Sequence, residues 1–229
     1  MLLALTLTAA SVAEAQTVNQ SAGTSYQTTA LAGFTTSGAE MSGLRVTAFW
    51  ADATSTQLTW GNLGGGSWGV SNSRFTLSFP GGGDTFSGAW TLQNLTSAGS
   101  ALTRFVLNGA PGNTVFDRDP ASSTEGSANG FDFTFLSGGL AGSTALYTNV
   151  VNLTGQPAVG DIFEMLDVAL GAGGLGLGQS LTFRADTDNG ASGAVIVPST
   201  VPEPGTWALL ATGLGVLAGA SRRRHRTAV

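Results

Sequence analysis

An all-β fold is what this sequence predicts, and three observations carry the prediction. In the middle of the chain the apolar residues fall in short runs of period two, the spacing that turns one side of a strand toward a core. Clusters of Gly, Asn, Ser and Asp separate those runs and supply the positive φ that tight turns require. Glycine accounts for 34 of the 229 residues, about twice the usual share, and each one inside a helix would cost about 1 kcal/mol relative to Ala. The predicted architecture is a single β-sandwich of jelly-roll type over residues 16–200, followed by one short C-terminal transmembrane helix.

The first segment, residues 1–15, is an apolar run closed by Ala13-Glu14-Ala15. Small residues three and one before Gln16 fit a signal-peptidase site, so this segment is predicted to be a cleaved export signal. No basic residue precedes Leu2 and Leu3, so the start is expected to lie inside a longer signal peptide. The run is too short to span a bilayer. From Gln16 to about Phe34 the chain is rich in Thr, Ser and Ala, and reads as an extended edge strand or a loosely held arm.

The strands come next. Phe75, Leu77 and Phe79 alternate with Thr76 and Ser78, and Phe86, Trp90 and Leu92 share one parity. Phe131, Phe133 and Phe135 alternate with polar neighbours, as do Leu181, Phe183 and Ala185. Further candidates are 44–50, 57–60, 102–107 and 145–153, which makes about ten short strands in all. Gly64 to Gly66, Gly81 to Gly83, Asn108-Gly109 and Asn189-Gly190 mark the turns. Residues 162–170 fit two periods. Ile162, Met165, Leu166 and Ala169 suit a helix, whereas Ile162, Leu166, Val168 and Leu170 suit a strand with Glu164 intruding. The β-rich context favours the strand. No fixed-period repeat is visible, which argues against propellers and solenoids.

Composition removes much chemistry. There is no Cys, no Lys, and a single His, His225, so thiol catalysis, disulfide scaffolds and cysteine zinc sites are excluded. The segment 16–200 carries five Arg against twelve Asp and Glu, about −7 (5 − 12). Such an acidic domain has no footprint for nucleic acid, which needs clustered cations. Gly65-Gly66-Ser67-Trp68-Gly69 satisfies the nucleophile-elbow pattern, but a serine without a nearby histidine base does not attack esters. Gly171 to Gly176 satisfies G-x-G-x-x-G, yet a β-like run follows it where a dinucleotide site needs a helix, so it reads as a Gly-rich hairpin.

Two features remain as candidate sites. Asp186, Asp188 and Asn189 offer two carboxylates and an amide oxygen within four residues, a set that can converge on Ca²⁺. The bland reading of the same residues is an Asx-type turn leaving a strand. Gly190 and Val197 depart from the EF-hand pattern, and Asp117 and Asp119 would add oxygens if the fold brings their loop alongside. No other cofactor is expected. Trp50, Trp60, Trp68 and Trp90 could form a platform for stacking sugar rings, against the reading that they are core residues. Twelve acids also leave a glycosidase formally open, since that chemistry needs two carboxylates at the right spacing.

The C-terminal segment, 201–229, has three parts. Val201-Pro202-Glu203-Pro204 comes first, and the prolines fix φ and keep this strip out of any helix. Residues 206–221 follow as an uncharged stretch of 16 residues, about 24 Å as a helix. That is short of a ~30 Å hydrocarbon core, so spanning needs Trp207 at one interface and snorkelling arginines at the other. Arg222, Arg223 and Arg224 close it as a retention cluster that the positive-inside rule keeps cytoplasmic. Pro-Glu-Pro, a short apolar helix and a terminal Arg cluster resemble the PEP-CTERM sorting signal of exported proteins in Gram-negative bacteria. The resemblance implies recognition and cleavage by a membrane-embedded exosortase after export across the inner membrane, with signal peptidase acting at the other end. It also implies a final site in the cell envelope, on the surface or in the extracellular matrix, in association with exopolysaccharide or biofilm. The order of elements between Leu44 and Asn189 is similar to proteins often found with this signal, which implies a β-sandwich and no established activity. The expected function is therefore a non-enzymatic exported surface or matrix protein. The alternatives are a polysaccharide-binding module and, third, an envelope glycoside hydrolase.

Overall fold

A computed structural model describes residues 16–118, 121–199 and 212. In chain order the first eight strands are β1 (Thr17–Ser21), β2 (Tyr26–Thr28), β3 (Arg45–Trp50), β4 (Ser55–Thr59), β5 (Gly61–Gly64), β6 (Ser67–Ser71), β7 (Phe75–Pro80) and β8 (Trp90–Asn94). The rest are β9 (Leu102–Asn108), β10 (Thr114–Asp117), β11 (Thr134–Ser137), β12 (Thr144–Leu153), β13 (Ile162–Ala169), β14 (Ser180–Arg184), β15 (Asp186–Asn189) and β16 (Val197–Pro198). The protein is all-β, as predicted, and its strands make two sheets. One runs in the order β16-β2-β12-β13-β9-β3-β4, with β1 beside β12, β10 beside β13, and β15 beyond β10. The other runs β11-β14-β8-β7-β6-β5. Residues through Pro198 form one compact unit, and Ser199 onward belongs to a second.

The alternating runs do what their period requires. Phe75, Leu77 and Phe79 of β7, Leu92 of β8 and Phe183 of β14 face Val46 and Ala48 of β3 and Phe105 and Leu107 of β9 across one apolar core. At its centre Trp90 lies 5.2 Å from Trp60, 5.4 Å from Phe79 and 5.7 Å from Phe183, the last as a parallel stack. Phe183 in turn meets Phe105 and Phe133. The indole N–H groups are satisfied from within, Trp90 donating to the Ala185 carbonyl and Trp60 to the Gly38 carbonyl. A smaller cluster of Leu31, Val115, Val151, Leu153, Ile162 and Ile196 lies on the other face of the larger sheet, under the N-terminal arm.

That arm is the extended edge of the two predicted alternatives. β1 and β2 both run parallel to β12, pairing with Thr144–Thr148 and Val151–Leu153. Between them the arm bends where β12 itself bends: Asn149 takes φ +64, and its side chain accepts from the Thr24 amide. Residues 162–169 are a strand, which settles the double period. Both edges of β13 are paired, with β12 on one side and with β9 and β10 on the other. Glu164 stays buried there because Asn149 donates to its carboxylate.

Three expectations need correction. Sixteen strands replace about ten, because short strands such as Thr114–Asp117 and Asp186–Asn189 carry no alternating apolar signal. Phe86 does not continue the Trp90 face; it sits in the turn before β8 with 44% of its surface exposed. The Gly171–Gly176 segment is not a hairpin, since it links β13 in one sheet to β14 in the other, anchored by buried Leu175 bonded to Leu102.

Truncating the ring at the centre of this core should be costly. Trp90→Ala is expected to destabilise the protein by about 3–5 kcal/mol, read as a lower urea midpoint with the m-value unchanged. A loss below 1 kcal/mol would show that the two sheets do not depend on that contact.

Candidate functional site

β10 and β15 form an antiparallel pair with Asp117 opposite Asp186 and Val115 opposite Asp188. Residues opposite one another in such a pair project to the same side, and so do residues two apart along a strand. Asp117, Asp186 and Asp188 are therefore gathered on one face, at 1%, 6% and 2% exposure. Two loops cover them. Gly33 lies against the Asp188 carboxyl so closely that a Cβ would sit 2.1 Å from its Cγ, and one on Gly130 would sit 2.2 Å from Asp117 Oδ1. Only residues without side chains can roof the cluster this tightly.

Ser127 holds the centre. Its hydroxyl lies 2.8 Å from Asp117 Oδ2, 2.9 Å from the Ala128 carbonyl oxygen and in short contact with Asp188 Oδ2. Asp186 is held separately, its Oδ1 accepting from Thr85 Oγ1 and the Thr187 amide, each at 2.9 Å. A fourth buried carboxylate, Asp161, precedes β13 and accepts from Thr124 Oγ1. Among the described residues no arginine side chain is bonded to any of the four; the ion pairs are Arg74–Asp52, Arg104–Asp167 and Arg118–Asp132. Burial pushes Asp117 up to about 8, with the charge of Asp188 adding to it and the Ser127 bond opposing. Burial likewise raises Asp188 to about 7 and Asp186 to about 6.

Beside this cluster a cleft of about 300 Å³ opens to solvent, lined by Phe34, Asp84, Phe86, Asn129 and Asp186 among others. Phe34 is 69% exposed. Phe86 meets Phe131 edge-on at 6.0 Å, and the Arg184 guanidinium lies 4.4 Å from the Phe131 ring. The Asp84 carboxylate accepts from the Phe86 amide, which fixes the aromatic wall relative to the acid.

The predicted metal residues are thus separated. Asp186 and Asp188 share a face, but Asn189 has the opposite parity, and its Oδ1 accepts from Thr114 at 3.0 Å. The competing Asx-turn reading is overturned as well, because these residues are themselves a paired strand. Asp117 does join Asp188, while Asp119 lies outside the described residues. Among the described residues, no three His, Cys, Asp or Glu side chains are already arranged around one point to hold a metal ion. The tryptophan platform is absent: Trp50, Trp60 and Trp90 are core residues, and Trp68 packs half-buried against them. Their inward parity and internal N–H partners are the reason. Ser127, Asp161 and Thr85 were not singled out by the sequence; Ser127 sits in a Ser/Ala/Gly loop that resembles any other. Ser67 of the elbow-like pattern lies at the start of β6, with no strand-to-helix turn around it.

The predicted export signal at 1–15, the sorting residues Val201, Pro202, Glu203 and Pro204, the predicted span 206–221 and Arg222 to Arg224 lie outside the described residues, apart from Thr212. Among the described residues no helix is long and apolar enough to cross a membrane. These segments are characterised by sequence instead. Residues 200–224 match the family model of the PEP-CTERM protein-sorting motif. That motif implies export, C-terminal anchoring for sorting to the cell surface, and processing by an exosortase. No curated protein and no solved structure matches the chain.

The buried acids give the fold a pH signature. In an unfolded chain they ionise near pH 4, so between about pH 4 and 8 the folded state binds the more protons. Stability must then fall as pH rises through that window. In chelator, the full-length protein is expected to have a higher urea midpoint at pH 5 than at pH 8. Asp117→Asn, which removes one charge and keeps an acceptor, should flatten the difference. A midpoint that climbs from pH 5 to pH 8 would contradict this account.

Proposed function

We propose that this is a non-enzymatic surface or matrix protein, a jelly-roll-like sandwich delivered to the envelope of a Gram-negative bacterium and associated there with exopolysaccharide. The observation that carries the reading is the sorting motif over residues 200–224. In this reading signal peptidase removes residues 1–15 and an exosortase cuts near Pro202-Glu203-Pro204. A 16-residue span is a marginal anchor that a protease can release, while the Arg cluster keeps its end on the cytoplasmic side. The only histidine, His225, falls in the discarded tail, which leaves the ectodomain without the commonest general base. Intact-mass measurement on protein from native cells is expected to show a mature form ending near Pro204. Replacing Pro202-Glu203-Pro204 with three alanines should leave the full-length form in the inner membrane. Arg222 to Val229 still attached to surface protein would refute the proposal.

A second reading, a polysaccharide-binding module, is favoured by the cleft. Phe34 and Phe86 offer faces for sugar C–H groups, and Asp84, Asn129 and Asp186 offer acceptors and a donor for hydroxyls. Hydrolysis is the poorer use of the same acids, because Asp186 Oδ1 is held by Thr85 and Thr187 and Asp84 Oδ1 by Phe86. In a pull-down with host exopolysaccharide, Phe86→Ala is expected to reduce retention about tenfold without shifting the melting temperature. Equal retention by the variant would remove this cleft as the binding face, and release of new reducing ends would favour the hydrolase.

A further inference from the structure

The Ser127 hydroxyl has one proton and three acceptors around it: Asp117 Oδ2, Asp188 Oδ2 and the Ala128 carbonyl oxygen. A hydroxyl donates one hydrogen bond at a time. With both carboxylates ionised, at least two of these oxygens face Ser127 Oγ lone pair to lone pair, and two of the three belong to carboxylates. Four oxygens packed this way in a buried place are a poor arrangement once both acids are ionised. They suit a cation, whose ligating oxygens are drawn to within about 3 Å of one another by a common centre.

A second observation points the same way. Asp117 Oδ1, on the same carboxyl, has no hydrogen-bond partner although the residue is 99% buried, given its 1% exposure. Asp161 Oδ2 is also buried and unpartnered, on a carboxylate whose charge acts on both Asp117 and Asp188. Buried carboxylate oxygens are ordinarily satisfied, and leaving them so costs the desolvation of a charged group. Nor does an arginine side chain among the described residues supply the missing positive charge.

We propose that Asp117, Asp188, the Ser127 hydroxyl and the Ala128 carbonyl bind one Ca²⁺ ion, with Asp161 and Asp186 adding negative charge around it. The donors are all hard oxygens from two strands and an irregular loop. Ca²⁺ accepts such a set with six to eight ligands and flexible geometry, and water completes the shell. Mg²⁺ demands near-ideal octahedral placement and gives up its waters reluctantly. With two carboxylates in the set, the site does not depend on a preformed group of three acidic ligands, and none is present among the described residues. Bound there, the ion would fasten residues 127–128 to β10 and β15. Ala128 and Asn129 line the cleft, so its wall would be fixed by the same ion. The inference does not rest on what the cleft binds.

The test is calcium itself, added to the full-length protein purified in mild detergent and stripped with chelator. Calorimetric titration should show one Ca²⁺ per chain, and 1 mM Ca²⁺ should raise the melting temperature by roughly 5 °C or more, rising further with log concentration. Mg²⁺ at the same concentration should give less than half that shift. Asp188→Asn and Ser127→Ala should each cut calcium affinity at least tenfold. Asp52→Asn, at an exposed acid far from these strands in the sequence, should leave it unchanged. Should Asp188→Asn fail to fold, Ser127→Ala and the wild-type stoichiometry still decide. No heat and no melting shift with calcium would overturn the proposal. So would a calcium response that survives both Asp188→Asn and Ser127→Ala.

Discussion

The hydrogen bond from the Trp90 indole to the Ala185 carbonyl joins the core to the candidate site. Ala185 is where the chain leaves one sheet for the other, between Arg184 at the end of β14 and Asp186 at the start of β15. Phe183, two residues earlier, is stacked on the same indole. The ring therefore fixes the crossing at two points, and the crossing decides which residues β15 presents to β10. A shift of one residue there would exchange Asp186 and Asp188 for Thr187 and Asn189. The acids would then face the Met41 side of the core, where Thr187 now lies, at a large desolvation cost. Aromatic packing in the interior thus specifies a polar arrangement on the opposite face of the sheet.

Where strands have one buried face, the fold is legible in the sequence. Phe75-Leu77-Phe79 and Leu181-Phe183-Ala185 declare their inner side by period two, and the structure places all six in the core. Legibility fails where a strand is covered on both faces by unlike material. Thr-Val-Phe-Asp of β10 and Asp-Thr-Asp-Asn of β15 are buried almost throughout, yet what covers their aspartates is loop backbone, hydroxyls and glycine rather than a second sheet. No apolar run can report such burial. The 162–169 segment is an intermediate case. Its residues fit two periods because Ile162 to Glu164 are buried in succession before alternation sets in from Met165, and only its pairing with β9 and β12 decides between them.

The site divides along the same line. Asp186 and Asp188 stand out because acids two apart are unusual in a β-rich context, and Asp117 was within sight as an acid in a second loop. Asn189 belonged to the cluster only while the segment was read as a turn; in a strand, parity sends it to Thr114. Ser127 and Asp161 come from far along the chain and carry no local mark. The tryptophans mislead in the opposite sense. Large rings are ready sugar platforms when exposed, but here they supply the volume that closes the core, and the exposed rings are the less conspicuous Phe34 and Phe86.

The two kinds of information in this chain differ physically. The sorting motif is recognised from sequence alone, so its meaning lies in consecutive residues. The acidic cluster has no meaning until β10, β15 and the 121–130 loop are assembled, and once assembled it works against the fold that made it. Buried carboxylates without a counter-charge raise the free energy of the native state at neutral pH, and a chain with no lysine and only five arginines before residue 200 has little means to compensate internally. Compensation from outside, by protons or by a divalent cation, is the remaining physical route. The two act differently, because a proton serves one donor–acceptor pair, whereas an ion among Asp117, Asp188, Ser127 and Ala128 would draw all the crowded acceptors to one centre.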